Sequence, residues 1–144
     1  MNILLFGIQN GVVRPYTTTA RTLKEAESDE PSNGVYMVAR TYRGRYVLEL
    51  DAHFDRLERS AEALGRSIRV PRETVRRLIA AVLRVDERSN RFSREIGISP
   101  ERRWNDVRFR VTAVLDEEPW YRVSVEEMHE VAEDLRRRGV VCSV

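Results

Sequence analysis

The sequence predicts an α+β domain: an antiparallel sheet of about six strands with two main helices. Three observations carry this. Apolar residues alternate with period two in several short runs, as on half-buried strands. Residues 51–65, and a second stretch that starts at Pro71 and ends within the charged run "RVDERSNRFSRE", instead repeat apolar residues at helical spacing. Turn-forming residues separate the runs: Asn10-Gly11, Arg43-Gly44 and the polar "SDEPSNG" segment at 28–34. A chain of 144 residues with a 42% apolar fraction can bury one core of ordinary size, which excludes a disordered chain.

Residues 2–8 and 11–16 read as two strands around "QNG", and "TLKEAES" as a short helical turn. In "GVYMVARTYRGRYVLEL" the first half alternates. Val35, Met37 and Ala39 point one way, and Tyr36, Val38, Arg40 and Tyr42 the other. Arg43-Gly44 makes a tight turn, and residues 45–50 return as a second strand. "DAHFDRLERSAEALG" follows as a helix, with Asp51 at its N-cap and Gly65 just past its end. Phe54, Leu57, Ala61 and Leu64 form its core stripe, and Asp55, Glu58, Arg59 and Glu62 its outer face. His53, Arg56 and Ser60 run along one shoulder of that stripe. The next helix starts at "PRETV" and buries Val75, Leu78, Ile79 and Val82. Residues 86–105 are too many for a structureless loop, so a short helix is expected inside them. "NDVRFRVTAVL" is a strand with Val107, Phe109, Val111 and Ala113 inward and Arg108, Arg110 and Thr112 outward. "EPW" connects it to the strand "WYRVSVEE"; "VAEDLRRRG" is helical in composition and "VVCSV" reads as the start of another strand.

Composition excludes several classes of function. The net charge is +2, with 25 basic and 23 acidic side chains, which argues against a nucleic-acid binder. No run approaches a membrane span, and a single cysteine, Cys142, permits no disulfide within the chain, so the cytoplasm is the expected compartment. The phosphate-loop, dinucleotide and nucleophile-elbow motifs are absent. His53 and His129 have no metal-like partners in sequence, so no metal site is expected. Lys24 is the sole lysine, so any lysine chemistry has one candidate here. Arginine is the preferred side chain for phosphate and carboxylate, because its planar fork donates two parallel hydrogen bonds. Arg40, Arg56 and Arg110 each stand beside an apolar face, although spacing alone favours solvated or snorkelling side chains for all three.

The stretch "GVYMVARTYRGRYVLELDAHFDRLERSAEALG", residues 34–65, resembles the N-terminal small domain of the class IV, or fold type IV, aminotransferases that use pyridoxal 5′-phosphate (PLP). That family includes branched-chain and D-amino-acid aminotransferases and aminodeoxychorismate lyases. Its G-V-(F/Y) strand, glycine turn and H-(L/F)-x-R-L-x-x-S-A helix stand here in order, and "DVRFRVTAV" is similar to a later family strand. The resemblance implies that Arg56 binds the PLP phosphate. It places Tyr36, Arg40 and Arg110 on the side of the substrate, an amino acid or 2-oxo acid. It further implies a homodimer and a catalytic Schiff-base lysine in a C-terminal domain, which residues 1–144 lack. The chain is then one α+β domain, the small domain of a longer two-domain enzyme, with no catalytic residue of its own and inactive alone. A non-catalytic partner-binding module and a fragment of a PLP lyase are the alternatives. Met37 after the aromatic and Val111 after Arg110 depart from common family patterns and leave the substrate open.

Overall fold

The computed structural model describes residues 3–129. Its first elements are a hairpin, β1 (Ile3–Gln9) and β2 (Val12–Tyr16). Asn10 and Gly11 both take positive φ, 52° and 76°, which suits the two-residue turn of a right-twisted hairpin. A short helix, α1 (Leu23–Glu27), follows; its N-cap Thr22 accepts from Glu25 N at 3.1 Å. Strand β3 (Gly34–Arg40) leads to the helices α2 (Leu50–Ala63), α3 (Arg72–Leu83) and α4 (Glu87–Glu95). Strands β4 (Asp106–Val114) and β5 (Trp120–Met128) complete the described elements. The "VAEDLRRRG" and "VVCSV" expectations lie outside the described residues.

The strands form one sheet in the order β2-β1-β5-β4-β3, with every neighbouring pair antiparallel. The α+β class therefore holds, with five described strands rather than about six. The difference lies at residues 45–50, which do not form a strand. Only Tyr42 and Tyr46 pair there, as an isolated bridge. Asp106 captures the turn instead: its carboxylate accepts from Thr41 Oγ1 at 2.8 Å and from Gly44 N at 2.9 Å. Glu49 then takes a left-handed backbone, φ 50°, and sends the chain straight into α2.

The period-two pattern sorts the two faces of the sheet. Phe6, Ile8, Met37, Ala39, Val107, Phe109, Val111, Ala113, Val123 and Val125 face the helical layer and are buried. Phe54 and Leu57 of α2 and Val75, Leu78 and Val82 of α3 close the core from the other side. Burying an aromatic such as Phe54 or Phe109 fully contributes about 1.5–3 kcal/mol each. α1 lies on the opposite face of the sheet, where Leu23 and Ala26 pack with Ile3 and Ala20. The helix expected within 86–105 is α4, with N-cap Asp86 accepting from Ser89 N at 2.8 Å.

Helix α2 corrects three details of its sequence pattern. It starts at Leu50, so Asp51 sits in the first turn and is not the N-cap; Glu49 occupies that position without a side-chain cap. Asp55 and Glu58 do not lie on an open face. Both carboxylates, with that of Asp51, bind Arg72 of α3, at 2.6, 2.9 and 3.2 Å in the order Asp55, Glu58, Asp51. Leu64 is 63% exposed because it is the C-cap residue, where the backbone has already left the helix. Gly65 ends the helix as expected: with φ 77°, its N–H donates to Glu62 O at 2.9 Å and Arg66 N–H donates to Ala61 O at 3.0 Å.

Candidate functional site

Register decides which side chains share the sheet face opposite the helical core. Tyr36 pairs with Thr112, Val38 with Arg110 and Arg40 with Arg108, all across β3 and β4. On β5, Arg122, Ser124 and Glu126 continue the same rows. Four arginines, Arg40, Arg108, Arg110 and Arg122, therefore stand on one face, as the alternation implies.

Tyr36 and Arg110 are brought together. The Arg110 guanidinium carbon lies 3.7 Å from the centre of the Tyr36 ring, a close cation–π stack. Tyr36 remains 56% exposed while Arg110 is buried. Sequence reasoning missed what holds Arg110: Glu30, in the loop after α1. Arg110 Nε and Nη2 donate to the two Glu30 carboxylate oxygens at 2.9 and 3.0 Å, and Thr112 Oγ1 donates to the first at 2.8 Å. Glu27 lies 3.5 Å from Arg110 Nη1. The usable signal was indirect. Arginines alternating with apolar residues on a central strand need counter-charge, and "EAESDE" is the acidic run placed to supply it.

The other arginines of this face differ in their partners. Arg122 donates to the backbone carbonyls of Ala26 at 2.8 Å and Asp29 at 3.1 Å, tying down the end of α1. Arg108 pairs with Glu126 at 2.9 Å, and Glu126 also accepts from Leu23 N at 2.9 Å. Arg40 is half-buried, donates through Nε to Thr41 O at 3.1 Å and lies 4.1 Å over the Tyr42 ring. It has no carboxylate within ion-pair distance among the described residues.

Arg56 belongs to the helical layer and makes no contact with the Tyr36–Arg110 pair. It is exposed on α2, on the side away from the carboxylates that bind α3. Its Nη2 donates to His53 Nδ1 at 2.9 Å. Burial lowers the His53 pKa below its ordinary value, and the neighbouring Arg56 charge lowers it further. A neutral imidazole with a free Nδ1 lone pair is the form this hydrogen bond requires. Among the described residues Arg56 has no acidic partner.

The glycine of the strand motif has a steric reason. A Cβ at Gly34 would come within 2.9 Å of Thr112 Cγ2 and 3.1 Å of Ala113 O. Close approach of β3 to β4 at this point sets the start of the strand that presents Tyr36.

The family model for amino-transferase class IV matches residues 34–140, from the Gly34 strand onward. The chain belongs to the class IV aminotransferase family. Among solved structures, a fold IV transaminase from Curtobacterium pusillum superposes on this class IV domain with a TM-score of 0.52 at 16% identity. The superposition covers 91% of this chain and 44% of that one, so the class IV domain spans less than half of that structure. At this identity the likeness concerns the fold. No curated protein matches the chain. Among the described residues of the class IV domain, no helix is long and apolar enough to cross a membrane. A cavity of about 580 Å³ lies between residues 45–51 and α3, and it is lined by none of Tyr36, Arg40, Arg56 and Arg110.

Proposed function

We propose that this chain is the small-domain part of a PLP-dependent class IV enzyme acting on an amino acid and 2-oxo acid pair. The observation that carries this is Arg56: an exposed arginine in the family's helix motif, positioned by neutral His53 and without a carboxylate partner among the described residues. That donor set fits a phosphate, which guanidinium binds through paired, charge-assisted hydrogen bonds. Arginines already neutralised by acids, such as Arg72, do not offer this.

When bound, PLP supplies an electron sink for the bonds at the substrate's α-carbon. The residues of this chain bind and orient. His53 Nδ1 accepts the Nη2 proton of Arg56 and so restricts the guanidinium to one direction. Tyr36 presents an aromatic wall, and Arg110 beneath it fixes the ring. Arg40, on the same strand face, offers a cation to the substrate carboxylate. A Schiff-base lysine supplied from outside these residues, a homodimer and a cytoplasmic setting complete the proposal. Elimination, as in aminodeoxychorismate lyases, would use the same small-domain groups, and product analysis distinguishes it from transamination.

Cofactor retention tests the phosphate role. The protein at its natural length should keep PLP through desalting, and Arg56→Ala should weaken PLP binding about tenfold or more, the loss of one charge-assisted contact. Unchanged affinity in the variant would overturn the role of Arg56.

A further inference from the structure

The loop after α1 lays a carboxylate of the chain itself on the face that carries Tyr36. The Glu30 side chain is 6% exposed and that of Arg110 is 8% exposed. A guanidinium receives a carboxylate along one edge, by paired N–H donors. Glu30 fills the Nε/Nη2 edge of Arg110, and Glu27 stands off Nη1. Tyr36 covers the guanidinium face. Glu30 is also tethered. A tethered group competes at an effective concentration of roughly millimolar or above, so a free carboxylate below that level leaves it in place. Of the remaining arginines on this face, Arg108 is paired with Glu126, and Arg122 is spent on two backbone carbonyls. Arg40 alone among them has neither its charge paired nor its terminal nitrogens hydrogen-bonded within the described residues.

We infer that Glu30 is a specificity-determining residue: an internal carboxylate that closes Arg110 to substrate and leaves Arg40 as the cation that receives one. The site then favours substrates with a single carboxylate over those carrying a second one. This deepens the proposed substrate role of Tyr36 and Arg40 and rests on it.

The experiment follows the arginine Nε–H resonances of the isotope-labelled protein at its natural length during titration with 2-oxoisocaproate, a monocarboxylate, and 2-oxoglutarate, a dicarboxylate. In the unmodified chain, 2-oxoisocaproate should shift Arg40, and neither acid should shift Arg110 below about 1 mM. In Glu30→Gln and Glu30→Ala, Arg110 should become responsive, and the ratio of 2-oxoglutarate to 2-oxoisocaproate affinity should rise about tenfold, the worth of one added carboxylate–guanidinium contact. Two variants are used because the amide introduced by Glu30→Gln can still hydrogen-bond to Arg110, whereas the methyl group left by Glu30→Ala cannot. An Arg110 that responds in the unmodified chain as strongly as Arg40 overturns the inference. So does an Arg110 that stays silent in both variants. An Arg40 silent toward both acids, with Arg110 opened in the variants, instead overturns the substrate role of Arg40 and leaves closure by Glu30 standing.

Discussion

Arg110 sits between the Tyr36 ring, 3.7 Å from its guanidinium carbon, and the carboxylate of Glu30, 2.9 Å from its Nε. Both charges are buried, and each is compensated chiefly by the other. Removing one partner strands the other. Arg110→Met should therefore cost about 3–5 kcal/mol in urea denaturation, because Glu30 keeps only Thr112 as a donor. Glu30→Gln should cost less, since Glu27 still faces Arg110 and the amide can still accept. The double change Arg110→Met with Glu30→Leu should recover much of the loss. A loss below about 1 kcal/mol for Arg110→Met would mean that the pair behaves like a solvated surface bridge.

Arg72 joins α3 to α2 through three carboxylates, Asp51, Asp55 and Glu58. Its own charge is held more firmly than that of an ordinary arginine, chiefly by the hydrogen bond to Asp55. The network is partly exposed, with the Arg72 side chain 26% accessible, so solvent and salt screen it. Arg72→Ala should destabilise the domain by about 1–2 kcal/mol at low salt, including the lost contact of its guanidinium with the Phe54 ring. The difference should shrink in about 1 M salt, where the screening length is short. A salt-independent loss would assign the effect to packing alone.

This network also shows where the sequence was legible. Periodicity located Phe54 and Leu57 of α2, Val75 and Leu78 of α3, and the inward residues of β4, because burial itself imposes the spacing. It misplaced Asp51, Asp55 and Glu58, because a helical wheel shows an acidic face but not which neighbour claims it. Their partner, Arg72, lies on the following helix, and only the α2–α3 packing brings it within 3.2 Å. Residues 45–50 alternate like a strand, but Asp106, far along the chain, fastens the turn and leaves a single bridge. Of the candidate site, Tyr36, Arg40 and Arg110 could be placed on one sheet face from alternation alone. Glu30 could not, since a loop carboxylate has no period to betray its burial.

His53 gives the α2 shoulder a pH dependence with a definite sign. Its folded pKa is lowered, first by burial and second by Arg56, so the folded chain favours the neutral ring. The stability this contributes is complete above the ordinary value of 6.5 and is lost as pH falls from there through the lowered folded value. Proton NMR should show His53 titrating below 6.5. Arg56→Met should raise its pKa only part of the way back, because burial, the larger cause, remains. A His53 that titrates at or above 6.5 would mean that neither burial nor the Arg56 charge holds its ring neutral.

Gly34 should be intolerant of even one added carbon. It opens the strand that presents Tyr36, and its backbone passes so near β4 that a Cβ would lie 2.9 Å from Thr112 Cγ2 and 3.1 Å from Ala113 O. The threonine methyl cannot simply swing aside, because Thr112 Oγ1 is committed to Glu30 at 2.8 Å. The carbonyl of Ala113 belongs to a central strand, where movement would disturb the pairing with β3 and β5 together. Gly34→Ala should thus cost about 1–3 kcal/mol, the range for overpacking a tight site. It should also weaken the Thr112–Glu30 contact, seen as faster exchange of the Arg110 Nε proton. Gly11→Ala makes a useful contrast: a Cβ there meets nothing within 4 Å, and its cost should arise only from the positive φ of the turn. If Gly34→Ala leaves Arg110 exchange unchanged while Gly11→Ala is equally destabilising, close packing of β3 on β4 does not explain the glycine of this motif.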